Sequence, residues 1–117
     1  MTLLYAALTG LLAWPVTAHP ATTTVWMGSD SELFLWTLAW NSHAVVTSPL
    51  TIFDANIFHP LRNTLAYTEN LIGSTLFAGP VIWLTGNYVL ALNAVSLSSV
   101  ILCGLGAFVL ARRVGVS

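Results

Sequence analysis

The sequence predicts an all-α integral membrane protein, and three observations predict it. Of 117 residues, 56% are hydrophobic and only 6% are charged, with a mean hydropathy of +0.82. A soluble domain carries about 25% charged residues, so water is a poor solvent for this chain. The polar chemistry is concentrated, because residues 19–69 hold all four acidic side chains, all three histidines and one of the three arginines. Apolar segments flank that region on both sides. The expected order is a first transmembrane helix, a long extracytoplasmic loop with juxtamembrane helices, and a second transmembrane helix, with a third if residues 70–86 also cross.

The first apolar segment, within residues 1–18, is LLYAALTGLLAWPVTA at positions 3–18. At about 1.5 Å per residue it reaches roughly 24 Å, slightly short of a hydrocarbon core of about 30 Å. A signal-peptide core is the alternative, but no Lys or Arg precedes it, whereas a secretory n-region is positively charged. A retained transmembrane helix is the preferred reading, with Trp14-Pro15 as interfacial anchor and helix exit.

Residues 19–69 carry Trp26, Trp36 and Trp40, with proline breaks at Pro20, Pro49 and Pro60. Aromatic enrichment of this kind marks the membrane–water boundary. Ser29 followed three residues later by Glu32 matches a capping box. From there, over 31–46, Leu33, Trp36, Trp40 and His43 recur at helical spacing. Because the other faces are only weakly polar, the helix is expected to lie along the membrane surface.

Residues 70–86 (NLIGSTLFAGPVIWLTG) are interrupted by Gly79-Pro80 and read either as a juxtamembrane or re-entrant helix or as a short transmembrane one. Residues 87–113 contain the clearest span. The 24 residues from Tyr88 to Ala111 reach about 36 Å and are closed by Arg112-Arg113. Placing that arginine pair in the cytoplasm, as the positive-inside bias prefers, favours a segment 70–86 that does not cross. Ser99, Cys103 and Ala107 form a ribbon of small side chains against which another helix can pack. Asn93, near the start of this helix, is expected to make an interhelical hydrogen bond.

Composition also excludes functions. Three basic residues against four acidic ones give no footprint for nucleic acid. A single cysteine, Cys103, forbids an internal disulfide. No H-E-x-x-H or C-x-x-C spacing indicates a metal site, and neither a phosphate-binding Gly-rich loop nor a serine nucleophile elbow occurs. Whether a divalent metal takes part is left open.

One succession of short elements is distinctive. It runs from Trp14-Pro15 through Asp30-x-Glu32 and W-x-L-A-W (36–40) to FDANIFHP (53–60). TLAYTENLIG (64–73), Leu84-Thr85-Gly86-Asn87 and a final L-A-R-R (110–113) follow. Over residues 11–117 this resembles the N-terminal part of large bacterial multi-pass proteins of the GT-C class of membrane glycosyltransferases. His59 stands where a tyrosine is common in that class. The resemblance implies a truncated GT-C fold in the bacterial cytoplasmic (inner) membrane. It also implies transfer of a sugar from a polyprenyl-phosphate carrier to an extracytoplasmic acceptor. The expected partners are membrane lipids, the lipid-linked sugar donor and further transmembrane helices of the same or another chain.

Under that reading the acidic residue near the start of the first loop is Asp30. A carboxylate there can accept the proton that the acceptor hydroxyl loses as it attacks the anomeric carbon. Glu69 is the second catalytic candidate, although Glu near a helix N-terminus is favourable on electrostatic grounds alone. Arg62, whose guanidinium matches phosphate geometry, is a candidate substrate contact with His59, Asp54 and Asn56. Against these stand plainer roles: turn formation for Asp54 and Asn56, and snorkelling to headgroups for Arg62. The expected function is that of an N-terminal fragment of such an enzyme, inactive alone. The alternative is a small non-catalytic membrane scaffold or assembly subunit.

Overall fold

A computed structural model describes residues 1–24 and 28–115. Trp26, one of the expected boundary aromatics, and the side chain of Ser29 lie outside the described residues. Among the described residues the chain is all-helical. Its four α-helices are α1 (Thr2–Leu12), α2 (Ser29–Thr47), α3 (Ile72–Thr85) and α4 (Tyr88–Arg113), with single 3-10 turns at Pro49–Thr51 and Thr64–Tyr67.

α1 stops three residues before Pro15, whose ring disfavours helical backbone at the residue preceding it. Residues 13–23 continue as linked turns, in which Val16 N–H donates to Ala13 O at 2.8 Å and Thr23 N–H to His19 O at 3.0 Å. Thr17 Oγ1 reaches back to Gly10 O at 2.8 Å and ties these turns to the end of α1.

α2 begins after Gly28, which occupies the cap position at φ 131°, a conformation that L side chains rarely adopt. The expected Ser29–Glu32 capping box is therefore not formed: Gly28 is the cap residue, with no side chain to bond the helix N-terminus, and Ser29 is already the first helical residue. The buried face of α2 also differs from the expected stripe. Leu33 and His43 are exposed and Trp36 and Trp40 half-buried, whereas Thr37, Leu38 and Asn41 are fully buried. Small and polar side chains let α3 and α4 approach that face, so hydrophobicity alone does not reveal it.

α3 runs through Gly79-Pro80 without a break. Pro80 is exposed, so the carbonyl it leaves without a donor need not be buried. Gly79 is buried and leaves room for the Trp83 ring, whose Cη2 would lie 3.3 Å from a Cβ there. Gly86 closes the helix in the left-handed region (φ 68°), with its N–H on Ile82 O at 2.7 Å. Asn87 follows as the N-cap of α4, its Oδ1 accepting from Leu90 N–H at 2.8 Å. This two-residue connection folds α3 and α4 into an antiparallel hairpin.

Leu38, Ala78, Ile82, Ala91 and Leu92 form the core where α2, α3 and α4 meet. α1 packs on the other half of α4 and runs antiparallel to it. Tyr5 lies against Gly104, while Ala13 shares a groove with Ser96 and Leu97. α4 is long and apolar enough to cross a membrane; α1 and α3 are apolar but shorter. None of its most apolar 18-residue stretch is buried, whereas Ala91, Leu92 and Asn93 are. That stretch therefore begins after Asn93. α4 thus has two zones: a first turn and a half inside the helical head, and a longer bare part beside α1.

Candidate functional site

Three asparagines hold the head together. Asn93 is fully buried, and its Nδ2 donates to Pro20 O at 2.7 Å and to Thr23 O at 2.6 Å. Asn87 Nδ2 donates to Ala21 O at 3.0 Å. The turns after α1 are thereby fixed to the start of α4. Asn93 was expected to bond another helix; its observed partners are main-chain carbonyls of the connecting segment, which have no helical ladder of their own to join. Asn41, also fully buried, donates from Nδ2 to Asn70 O at 2.6 Å and to Thr75 Oγ1 at 3.1 Å, which ties α2 to the start of α3.

Asp30 and Glu32 both lie exposed in the first turn of α2, where carboxylates face the positive end of the helix dipole. Their clustering thus has a local electrostatic reason besides any chemistry. Glu69 is exposed beside Asn70, whose Oδ1 accepts from Ile72 N–H at 3.3 Å. Asn41, which holds Asn70, is 11 residues along α2 from Asp30, about 16 Å at helical rise. The two candidate catalytic carboxylates are therefore held at separate places.

The remaining candidates share one loop. Asp54 is half-buried, and its Oδ1 accepts from Asn63 N–H at 3.1 Å, closing the loop across nine residues. Leu65 N–H donates to Phe53 O at 3.1 Å and Thr64 Oγ1 to Ala55 O at 3.4 Å, so Ala55, Thr64 and Leu65 are buried beneath it. Trp40 Nε1 donates to Ile52 O at 2.8 Å and fastens the loop to α2. Asn56, His59 and Arg62 are all exposed on the tip. Asp54 is observed in the turn-forming role considered for it, while Asn56, His59 and Arg62 project from the same closed loop.

Two concavities lie elsewhere. An apolar groove of about 520 Å³ runs between α1 and α4, lined by residues including Tyr5, Leu8, Thr9, Leu97 and Val100. A second, more open cleft of about 480 Å³ is flanked by Trp36 and Tyr88 at the Gly86-Asn87 turn. None of Asp30, Glu69, Arg62, His59, Asp54 or Asn56 lines either. Sequence reasoning passed over Asn41 and noted Asn87 only within the Leu84-Thr85-Gly86-Asn87 element; its helix-capping position after a glycine was the available signal for a bonding role. No family model, curated protein or solved structure matches the chain. Among the described residues, fold and geometry define the class: all-helical, with one helix long and apolar enough to cross a membrane.

Proposed function

We propose that the chain is the N-terminal part of a multi-pass bacterial inner-membrane glycosyltransferase that uses a polyprenyl-phosphate-linked sugar, and that it is inactive alone. The place of Asp30 carries this reading. It is an exposed carboxylate at the start of the first helix after α1, and the segment that leads toward it is pinned to α4 by Asn87 and Asn93. A base that must meet an acceptor from the aqueous side needs such an anchored but accessible position. Further support comes from the antiparallel pairing of α1 and α4, which suits a cytoplasmic N-terminus, an extracytoplasmic 19–69 and a cytoplasmic Arg112-Arg113 pair.

The test is Asp30→Asn in the full-length protein, assayed with its lipid-linked donor. The substitution keeps shape and removes basicity, so turnover should fall by about 10² to 10⁴ at unchanged expression. Turnover close to the unmodified level ends the catalytic role.

A scaffold role is the second reading, and one observation favours it. Ser99, Cys103 and Ala107 are all exposed along α4, so no described element of the chain covers that ribbon. Under this reading Cys103→Leu abolishes assembly with a partner helix, while Asp30→Asn leaves function intact.

A further inference from the structure

The tip of the closed loop presents an unusual set of side chains. Phe58 is 66% exposed and Leu61 68% exposed, with His59 and Arg62 exposed between and beside them. Leu50 at 99% and Tyr67 at 87% add to the same region of the chain. Phe58 is moreover held at φ 56°, a backbone region costly for a bulky residue. The cross-loop hydrogen bonds of Asp54, Phe53 and Ala55 keep the tip in this form while burying Ala55, Thr64 and Leu65 instead. Large apolar side chains are thus turned outward although the loop owns a small core of its own.

The position of the loop along α4 indicates what they meet. α3 and α4 are antiparallel, and a cleft of about 180 Å³ between them is lined by Gly73 and Ser74 from the start of α3 and by Ser98, Ser99 and Leu102 from α4. The start of α3 therefore lies level with the middle of α4, roughly 15–20 Å below the Gly86-Asn87 turn at helical rise. That level is within the bare apolar part of α4, beyond Asn93. Ile52, where the loop leaves α2, shares a cleft with Ile72, Thr75 and Leu76 at the start of α3, so the base of the loop lies at that level and not at the Gly86-Asn87 turn.

We propose that the loop tip is an interfacial anchor, with Phe58 and Leu61 inserted among lipid acyl chains and Arg62, helped by His59, on the phosphates of anionic headgroups. Apolar and cationic side chains alternate at such boundaries because the hydrocarbon takes the first and the phosphate layer the second. A guanidinium on a short loop reaches phosphate while its aliphatic stem stays in the apolar layer. The inference rests on α4 lying in a bilayer and on nothing about sugar transfer. It gives Arg62 and His59 a lipid-binding role in place of a substrate-binding one.

The experiment uses nitroxide spin labels on single cysteines at 58 or 61 in a Cys103→Ser background. The chain is reconstituted in vesicles of phosphatidylcholine, with or without phosphatidylglycerol. Labels at 32 and 102 serve as references for water and for bilayer depth. The expected result is that labels at 58 and 61 collide more with oxygen than with a water-soluble nickel chelate, as the label at 102 does. In the phosphatidylglycerol vesicles, Arg62→Gln should shift the label at 61 toward the aqueous reading. Labels at 58 and 61 that behave like the one at 32 overturn the anchor, as does shielding from both reagents, which would mean protein covers the tip. An unmoved label in Arg62→Gln overturns the headgroup contact. An aqueous reading at 102 places the failure in the membrane reading of α4 itself.

Discussion

The ring of Tyr5 lies against the bare backbone of Gly104, so closely that a Cβ at that glycine would sit 2.8 Å from Tyr5 Cδ1. This one approach sets how near α1 comes to α4. Gly104→Ala should therefore weaken the pairing by about 1–3 kcal/mol, the usual cost of overpacking. Tyr5→Ala in the same chain should recover part of the loss, since contacting residues are not additive. Unfolding in detergent, read by circular dichroism, checks both. The neighbouring Cys103 is exposed, so Cys103→Leu should change the stability of this chain by no more than about 0.5 kcal/mol. A loss at 103 as large as at 104 would mean that another helix covers the ribbon.

Asn93 joins the segment after α1 to α4 through two main-chain carbonyls. Asn93→Ala removes both donors and leaves two half-buried carbonyls without them, which should cost about 1–3 kcal/mol. Limited proteolysis should then cut within residues 19–24 before it cuts α2 or α3. Unchanged resistance there would show that the segment is held by other means.

Thr37 offers a prediction of opposite sign. Its side chain is fully buried and Oγ1 has no hydrogen-bond partner. Thr37→Val replaces the hydroxyl with a methyl group of similar size, so it removes a desolvated polar group without opening a cavity. Stability should rise by up to about 1 kcal/mol. A clear loss would mean that the hydroxyl is paired in the membrane-bound protein.

The antiparallel pairing of α1 and α4 also predicts topology. Single cysteines at Thr2 and Val114, in a Cys103→Ser background, should be labelled from the same face of sealed membrane vesicles. A cysteine at Glu32 should be labelled from the other face. Labelling of 2 and 114 from opposite faces would make α3 a spanning helix and dissolve the arrangement described.

Much of the architecture was legible in the sequence because solvent preference is written in composition. The long helix ending at Arg112-Arg113 needed nothing beyond apolar length, and its observed bounds are Tyr88–Arg113. The interior of α2 was not legible, because Thr37, Asn41 and Ser42 are buried by tertiary contact and not by their own hydrophobicity. Gly79-Pro80 reads as a break locally, yet α3 continues because the proline faces outward and the glycine lodges under Trp83. The candidate site was legible only as a set of residue types. Asp54 and Asn63 are nine positions apart, and no local rule announces that one closes a loop on the other.

The bonds from Asn93 to Thr23 and Pro20 span 70 and 73 residues. During synthesis, which proceeds from the N-terminus, the connecting segment leaves the ribosome long before its partner exists. Its carbonyls stay with water until the chain has been made as far as Asn93. α1 therefore cannot be locked to its final neighbour until α4 has been made. The α3–α4 hairpin, closed over two residues, is the local event that brings Asn93 into place. Assembly then completes backward along the chain, with the earliest-made region the last to be secured.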